Sequence, residues 1–357
     1  MTPAGGMEAE TPRDWDRQEA IPHGNRGHAE PWTTRKGRVM ISDNSSPLSL
    51  LTVLNPGGSS NIGGNKPPKS IDEMIAIMRC RGLVITDERR LRDMLLNENY
   101  YRLSGYFRVY QNDPSNGDNT FRDGTCDTDF IVPYQLDEQL RSIVLKGTAR
   151  VELTLRSRFA YYLAQDGNAY NYLDQGSYED VVTRKGVRLR QTLITNMHDW
   201  INRSKEVCIK HYKDKGKDIP VWAAVETLPF DTLSRMLSLH TDTTALRRLY
   251  KSVGLKAGLR KSSEIVHSMV YLRNICSHHC RLWHREMVIS PPEIRDAANA
   301  FPQFDDISRR SVASSLMTLM YLVTRIEGSH EYADELTRFI TQDHEYYDGI
   351  ITPLHWE

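Results

Sequence analysis

Apolar residues recur at intervals of three or four along most of the chain after residue 66, which is the periodicity of amphipathic α-helices. The longest such pattern, residues 133–164, is PYQLDEQLRSIVLKGTARVELTLRSRFAYYLA. Its recurring positions are Leu136, Leu140, Ile143, Gly147, Val151, Leu155, Phe159 and Tyr162. This pattern predicts one long helix with a single buried face.

Shorter patterns predict further helices on both sides. One begins at the N-cap Ser70 and ends at Gly82, and the next is capped by Thr86 and runs to Leu103. The others cover residues 188–213, two short helices within 221–240 broken at Pro229, 262–286 with Ser262 or Ser263 as cap, and 308–326.

Signals for β-structure are few. Residues 111–129 are rich in turn-forming residues and predict a loop. The stretch FIVPY, residues 130–134, is at best an edge strand, because Pro133 cannot donate a ladder hydrogen bond. The predicted fold class is therefore all-α.

Composition divides the chain into three parts. Residues 1–66 are rich in Gly, Pro, Ser, Asn and charge, which predicts a disordered extension and linker. Residues 67–330 carry the helical patterns and form the predicted helical domain, and residues 331–357 form an acidic C-terminal tail.

The N-terminus lacks the apolar segment of a secretory signal peptide, and no run approaches the roughly 20 apolar residues of a membrane span. Five cysteines, an odd number, argue against a disulfide framework. We therefore expect a cytoplasmic protein with reduced thiols and no association with membranes.

Charge is balanced overall, with 46 Lys and Arg against 46 Asp and Glu, but it is unevenly distributed. Basic residues dominate 141–158 and 256–285, and acidic residues dominate after Gly328. The two basic helices could form a face that binds a polyanion, and the acidic segment could compete with the polyanion for that face. Alternatively, all three could simply be solvated helix faces.

The stretch YLRNICSHHCRLWHRE, residues 271–286, has the densest chemical content. A helical projection at about 100° per residue places one set of side chains in a buried sector. That set is Ile265, Val266, Met269, Leu272, Cys276, Cys280 and Trp283. The opposite stripe, within roughly 60°, contains His267, Asn274, His278 and Arg281, with Arg273 at its border.

These polar residues suit cleavage of RNA. The 2′-hydroxyl must lose a proton and the leaving 5′-oxygen must gain one, and His278 can serve either step. The guanidinium of Arg273 can stabilise the charge on the phosphate, and Asn274, one turn before His278, can orient it. His278 is preferred to His279 because it faces the same way as Asn274. No metal is needed, because the nucleophile already belongs to the substrate.

Alternatives remain open on pattern alone. Cys276, Cys280 and His284 share a stripe that could bind zinc, although that stripe is apolar. The polar stripe could also merely face solvent. Glu152 can pair with Arg156 one turn later, or it can reach Arg273. Arg102 or Arg108, in the aromatic and basic segment NYYRLSGYFRVY, could contact RNA.

The segment LRNICSHHCRLWHR resembles the signature of the Abi-like, or abortive-infection, family of bacterial phage-defence proteins, with the Arg and His motif of HEPN-superfamily ribonucleases. Three further blocks resemble the same family in the same order: residues 69–110 with NYYRLSGY, residues 134–164, and residues 221–238 with a Trp-x-x-x-Glu segment. The resemblance covers about residues 67–330 and excludes the N-terminal extension.

This resemblance implies a HEPN-type helical bundle with additional N-terminal helices, acting as a homodimer whose two motif helices form a composite cleft. It implies an endoribonuclease without cofactor, in which Arg273 holds the scissile phosphate, Asn274 orients and His278 is the general acid or base. Arg281, His267 and Arg102 are expected to contact RNA. A non-catalytic RNA-binding HEPN scaffold or antitoxin-like subunit is the alternative, and a purely structural interaction protein is a third. A regulatory small RNA or antitoxin is a possible partner.

Overall fold

The computed structural model describes residues 67–304 and 307–354, and the predicted extension at residues 1–66 lies outside them. The described residues are mostly helical, which confirms the all-α prediction. The helices are α1 (Ile71–Cys80), α2 (Glu88–Glu98), α3 (Tyr100–Phe107), α4 (Asp127–Gln165), α5 (Leu189–Arg203), α6 (Val207–Asp214), α7 (Val221–Ala224), α8 (Phe230–Leu239), α9 (Thr243–Ser252), α10 (Leu259–Ser277), α11 (Arg295–Ala300), α12 (Val312–Glu327), α13 (Glu331–Ile340) and α14 (His344–Ile351). Strands β1 (Gln111–Asp113) and β2 (Asp118–Phe121) form one antiparallel pair.

The N-terminal helices begin and end largely at local sequence signals. Ser70 caps α1 as predicted, in a capping box in which Glu73 bonds back to the cap. The cap of α2 is Asp87, one residue after the predicted Thr86, and it accepts a hydrogen bond from the Arg90 amide. Asn99, with a φ of 72°, separates α2 from α3, so the single predicted helix is two.

Helix α4 is longer than the sequence pattern predicted, because residues 130–134 belong to it. The possible edge strand at FIVPY is therefore wrong. Pro133 cannot donate to the carbonyl of Asp129 one turn earlier, and the Tyr110 hydroxyl, 2.8 Å from that oxygen, supplies the missing donor. The preceding segment, predicted as a loop, contains the hairpin of β1 and β2.

Helix α4 runs through the middle of the domain and packs against α3, α7, α9, α10, α12 and α13. Its contact with α13 is unusually close at Gly147, where a Cβ would lie 2.2 Å from the Tyr332 hydroxyl oxygen. That hydroxyl donates to the carbonyl of Ile143, 3.1 Å away. Glycine is therefore required at the point where Tyr332 crosses α4.

Residues 331–351 are not a separate tail in the structure. They form α13 and α14, whose buried side chains pack against α4 and α12. These side chains are Tyr332, Ala333, Leu336, Ile340, Tyr346 and Ile350. Their helical spacing is a signal for packed helices that the acidic composition of the segment obscured.

The remaining helices agree only in part with the boundaries predicted from local sequence. Pro229 separates α7 from α8, as predicted. The single helix predicted over residues 188–213 is instead α5 and α6, and Lys213 donates to the carbonyl of Ile201 at the end of α5, 2.8 Å away. Within residues 67–304 and 307–354, no helix combines the length and apolar character needed to cross a membrane.

The basic residues of α4 are largely engaged within the fold. Lys146 pairs with Glu335 of α13 at 2.8 Å, and Arg150 pairs with Glu327 of α12 at 3.2 Å. Arg158 donates to the carbonyl of Ser252, 2.6 Å away. This helix therefore does not present a row of unpaired cations to a polyanion.

Candidate active site

The motif helix α10 buries one face in the domain. The buried side chains include the predicted core positions Ile265, Val266, Met269, Leu272 and Cys276. The helix ends at Ser277, although the sequence pattern predicted helix as far as Glu286. Residues 278–284, which we call the motif turn, therefore leave the helix and take a path of their own.

The end of α10 has the geometry of a Schellman motif. The amide of His279 donates to the carbonyl of Cys276, and the amide of Cys280 donates to the carbonyl of Ile275, both at 3.0 Å. His279 has a φ of 53°, the left-handed conformation in which glycine is usual. His279 thus ends the helix and does not continue it, although the helical projection treated it as a helical residue.

The end of α10 also separates the three residues that were considered as zinc ligands. Cys276 is a buried residue of α10, whereas Cys280 and His284 lie in the motif turn, so the three do not share a helical stripe. Burial raises the pKa of the Cys276 thiol to about 12. In the described part of the chain, no group of three or more His, Cys, Asp or Glu residues is arranged to hold a metal ion.

Arg273 is held between α4 and α8. One of its terminal nitrogens lies 3.9 Å from Oε2 of Glu152, and its guanidinium carbon lies 6.0 Å from the ring centre of Phe230. Glu152 also pairs with Arg156 at 2.5 Å, and Arg156 donates to the carbonyl of Val225. Both predicted roles of Glu152 are thus present together, since it joins Arg156 to Arg273.

Asn274 and His278 lie at the C-terminal end of α10. The amide of His278 donates to the carbonyl of Asn274 at 3.0 Å, so His278 continues the helical hydrogen bonding as the C-cap. Its side chain is exposed, and that of Asn274 is partly exposed. Arg273 and His278 are five residues apart, about 7.5 Å along the helix axis.

Two arginines from other elements reach the backbone of the motif turn. Arg102 of α3 donates to the carbonyl of His279, and Arg141 of α4 donates to the carbonyl of Cys280 at 3.4 Å. The structure therefore places Arg102, a predicted RNA-contacting residue, directly beside the end of the motif helix.

Arg281, also predicted to contact RNA, lies in the motif turn and not on the polar stripe of α10. Its side chain packs along Gly105 of α3, where a Cβ would lie 3.6 Å from Cδ of Arg281. One terminal nitrogen of Arg281 is buried without a hydrogen-bond partner among the described residues. Burial lowers the pKa of this guanidinium.

His267 is not brought together with the other site residues. It lies seven residues before Asn274, about 10 Å along the axis, and packs near Arg235 of α8. Burial, with a smaller contribution from the positive charge of Arg235, lowers the pKa of His267. A neutral, half-buried imidazole is poorly suited to the phosphate contact that the sequence predicted.

Sequence reasoning missed Asp137, a fully buried carboxylate of α4. It accepts hydrogen bonds from the backbone amides of Leu282 and Trp283 in the motif turn and from the hydroxyls of Tyr106 and Tyr346. The sequence did contain a signal for a buried carboxylate, because Asp137 directly follows Leu136 inside the most regular apolar pattern of the chain. A buried carboxylate needs hydrogen-bond donors around it.

Comparison with known families gives a match that covers the same region. A family model described as Abi-like protein matches residues 93–284, more than half of the chain and all of the segment from α3 to the motif turn. No curated protein and no solved structure matches the chain significantly. The chain therefore belongs to the Abi-like protein family, and this membership supports a role in abortive infection, a bacterial defence against phage.

Proposed function

We propose that this protein is a metal-independent endoribonuclease of the HEPN type that acts in phage defence. The observation that carries the proposal is the pairing of an anchored arginine with an exposed histidine at the end of one helix. Arg273 is held by Glu152 over the ring of Phe230, and His278 is presented to solvent five residues later.

The proposed reaction is an internal transfer at phosphorus. His278, in its neutral form, takes the proton of the 2′-hydroxyl, and the 2′-oxygen attacks the adjacent phosphorus. The bond to the 5′-oxygen breaks, and that oxygen receives a proton from a protonated imidazole. Arg273 stabilises the charge on the non-bridging oxygens, and Asn274 orients the reacting groups. The products carry a 2′,3′-cyclic phosphate and a 5′-hydroxyl.

A second copy of the chain would supply the second imidazole, because each chain contributes one such motif. Exposed apolar side chains on α4 and α7 support such a contact. Leu153 of α4 is 55% exposed, and Trp222 of α7 is 48% exposed. Exposed apolar side chains are typical of surfaces that pack against a partner.

The charge around the motif turn supports an anionic substrate. Arg102 is exposed and Arg285 is partly exposed beside the turn, whereas Arg141 and the carboxylate of Asp137 are buried there. The positive excess favours a phosphate backbone near His278, with an affinity that decreases as salt increases.

A second candidate is RNA binding without cleavage, and one observation favours it. Tyr101 at the start of α3 is 56% exposed and directly precedes Arg102, whose guanidinium contacts the motif turn. An exposed aromatic ring beside a guanidinium can stack on an unpaired base whether or not the strand is then cut.

The test compares three proteins on total cellular RNA, with detection of new 5′-hydroxyl ends. We expect the wild type to cleave in excess EDTA and the double variant Arg273→Ala/His278→Ala to be inactive. The matched control is His279→Gly, which removes the neighbouring imidazole and suits the left-handed backbone at that position; it should remain active. Cleavage by the double variant would disprove the assignment, and RNA binding without cleavage by the wild type would favour the second candidate.

A further inference from the structure

The carboxylate of Asp137 is the meeting point of three distant chain segments. Its Oδ2 accepts from the amide of Leu282 at 2.6 Å and from the Tyr106 hydroxyl at 2.7 Å. Its Oδ1 accepts from the amide of Trp283 at 3.1 Å and from the Tyr346 hydroxyl at 2.7 Å. The Trp283 amide also lies 3.2 Å from Oδ2 and is shared between the two oxygens, and each oxygen accepts from one tyrosine hydroxyl.

These hydrogen bonds offset the free-energy cost of burying the Asp137 carboxylate. A carboxylate without solvent exposure is strongly destabilising unless hydrogen bonds replace its hydration. The nearest cation, Arg141, lies 3.8 Å from Oδ2, so neutral donors make the shortest contacts. A carboxylate accepts four such bonds readily, whereas an amide of the same size offers only one accepting oxygen.

The two amides that Asp137 holds belong to the motif turn. The turn is fixed at its start by the Schellman hydrogen bonds of α10 and at its end by Leu282 and Trp283. His278 and His279 lie between these two anchors and are exposed.

The C-terminal helix α14 completes the second anchor. The ring of Trp283 stacks near Tyr106 and Tyr110, with centroid distances of 6.3 and 6.2 Å. On its other side it contacts Gly349 of α14, where a Cβ would lie 2.0 Å from the indole nitrogen. The next residue of the turn, His284, donates its amide to the Gly349 carbonyl at 2.7 Å.

We propose that Asp137 is a positioning residue for the site and that α14, through Tyr346, is needed for this role. The inference rests on the proposed function, because it concerns how His278 is presented to RNA. Asp137, Tyr106 and the motif turn lie within the matched residues 93–284, whereas Tyr346 lies beyond them. A helix outside the matched region thus contributes to the geometry of the motif.

The kinetic test uses Tyr346→Phe and Asp137→Asn in the full chain. The first removes one hydroxyl and keeps the ring, and the second places an amide group against two donors. A misplacement of about 1 Å can reduce a rate on the order of a hundredfold. We expect kcat to fall about tenfold or more in Asp137→Asn and several-fold in Tyr346→Phe. Affinity for an oligoribonucleotide that carries a 2′-deoxy group at the cleaved position should remain unchanged.

The matched control is Tyr178→Phe, which removes another buried hydroxyl, one that donates to the Tyr172 carbonyl at 2.6 Å. We expect Tyr178→Phe to lower thermal stability and leave kcat unchanged below the melting transition. An equal loss of kcat in Tyr178→Phe and Tyr346→Phe would overturn the proposal, because stability alone would then explain both.

Hydrogen exchange separates this proposal from the proposed function. We expect Tyr346→Phe to accelerate exchange of the Leu282 and Trp283 amides and to leave the amides of α12 unchanged. Unchanged exchange at Leu282 and Trp283 would overturn the proposal, even if Asp137→Asn does not fold. If the wild type cleaves no RNA, the proposed function fails, and the exchange rates still decide whether α14 holds the motif turn.

Discussion

The two halves of the candidate site, Arg273 and the motif turn, are positioned by different means. Arg273 lies within the regular part of α10, and its guanidinium is held by Glu152 of α4 and Phe230 of α8. The motif turn lacks regular structure and is held by Asp137, by neighbouring arginines and by α14. Regular helix packing thus positions Arg273, whereas specific long-range hydrogen bonds position the end of the motif turn.

This difference determines which kind of change should damage each half. A substitution at Arg273 should remove the proposed phosphate contact, while Glu152 keeps its pair with Arg156. A substitution that disturbs Trp283 or Asp137, both buried, should alter structure first and chemistry as a consequence. We therefore expect stability and activity to change separately at Arg273 and together at Trp283 and Asp137.

The largest effect is expected for Arg273→Ala. Loss of one group that stabilises transition-state charge reduces a rate on the order of 10²–10³-fold. Stability should change little, since Glu152 retains its pair with Arg156. Initial rates of RNA cleavage and thermal unfolding of the same preparations check this. A variant that loses stability and activity in parallel would remove the contrast between the two halves.

The next effect concerns Gly349→Ala. The new Cβ would lie 2.0 Å from the Trp283 indole nitrogen, and such overpacking costs about 1–3 kcal/mol of unfolding free energy. We expect a lower midpoint in urea and reduced cleavage together. Gly176→Ala is the control, because a Cβ added there would have no heavy atom within 4 Å and the backbone is unstrained. Equal midpoints for the two variants would contradict the tight contact between α14 and the turn.

The sequence predicted the first half of the site better than the second. The buried face of α10 follows from its periodicity, and so does the long helix α4 that supplies Glu152 and Arg156. Periodicity describes contacts that repeat along one element, and for this reason the core positions of both helices could be predicted from local pattern.

The motif turn could not be predicted in the same way. The helix ends at a histidine in the left-handed conformation, and histidine is not the residue that normally marks such an end. Asp137 and Tyr346 are more than 200 positions apart in the chain, and nothing in either segment indicates that they meet. In the acidic segment after residue 330, composition predicted a tail, whereas the helical spacing of the buried residues indicated the packed helix α13.

A smaller effect concerns the pH dependence of the motif turn. Burial lowers the pKa of His284, so the unfolded chain binds a proton more readily than the folded one. Stability of the turn should be complete above the usual histidine value of about 6.5 and decrease as the pH falls below it. In His284→Asn, which keeps a donor for the Thr352 carbonyl and suits a φ of 52°, this decrease should be smaller. Hydrogen exchange of the turn amides between pH 7.5 and 5 measures the difference; identical profiles would show that another group titrates there.

The smallest effect is expected at His279, and it distinguishes the two adjacent histidines. A residue other than glycine in the left-handed conformation is strained, so His279→Gly should increase the unfolding free energy by about 0.5–1 kcal/mol. The carbonyl that accepts from Arg102 belongs to the backbone and is retained. His278→Gly should instead reduce cleavage strongly, because position 278 supplies the proposed acid or base, and at its φ of −92° glycine relieves no strain. Thermal unfolding and cleavage rates of both variants test this, and loss of activity in His279→Gly would transfer the catalytic assignment from His278 to His279.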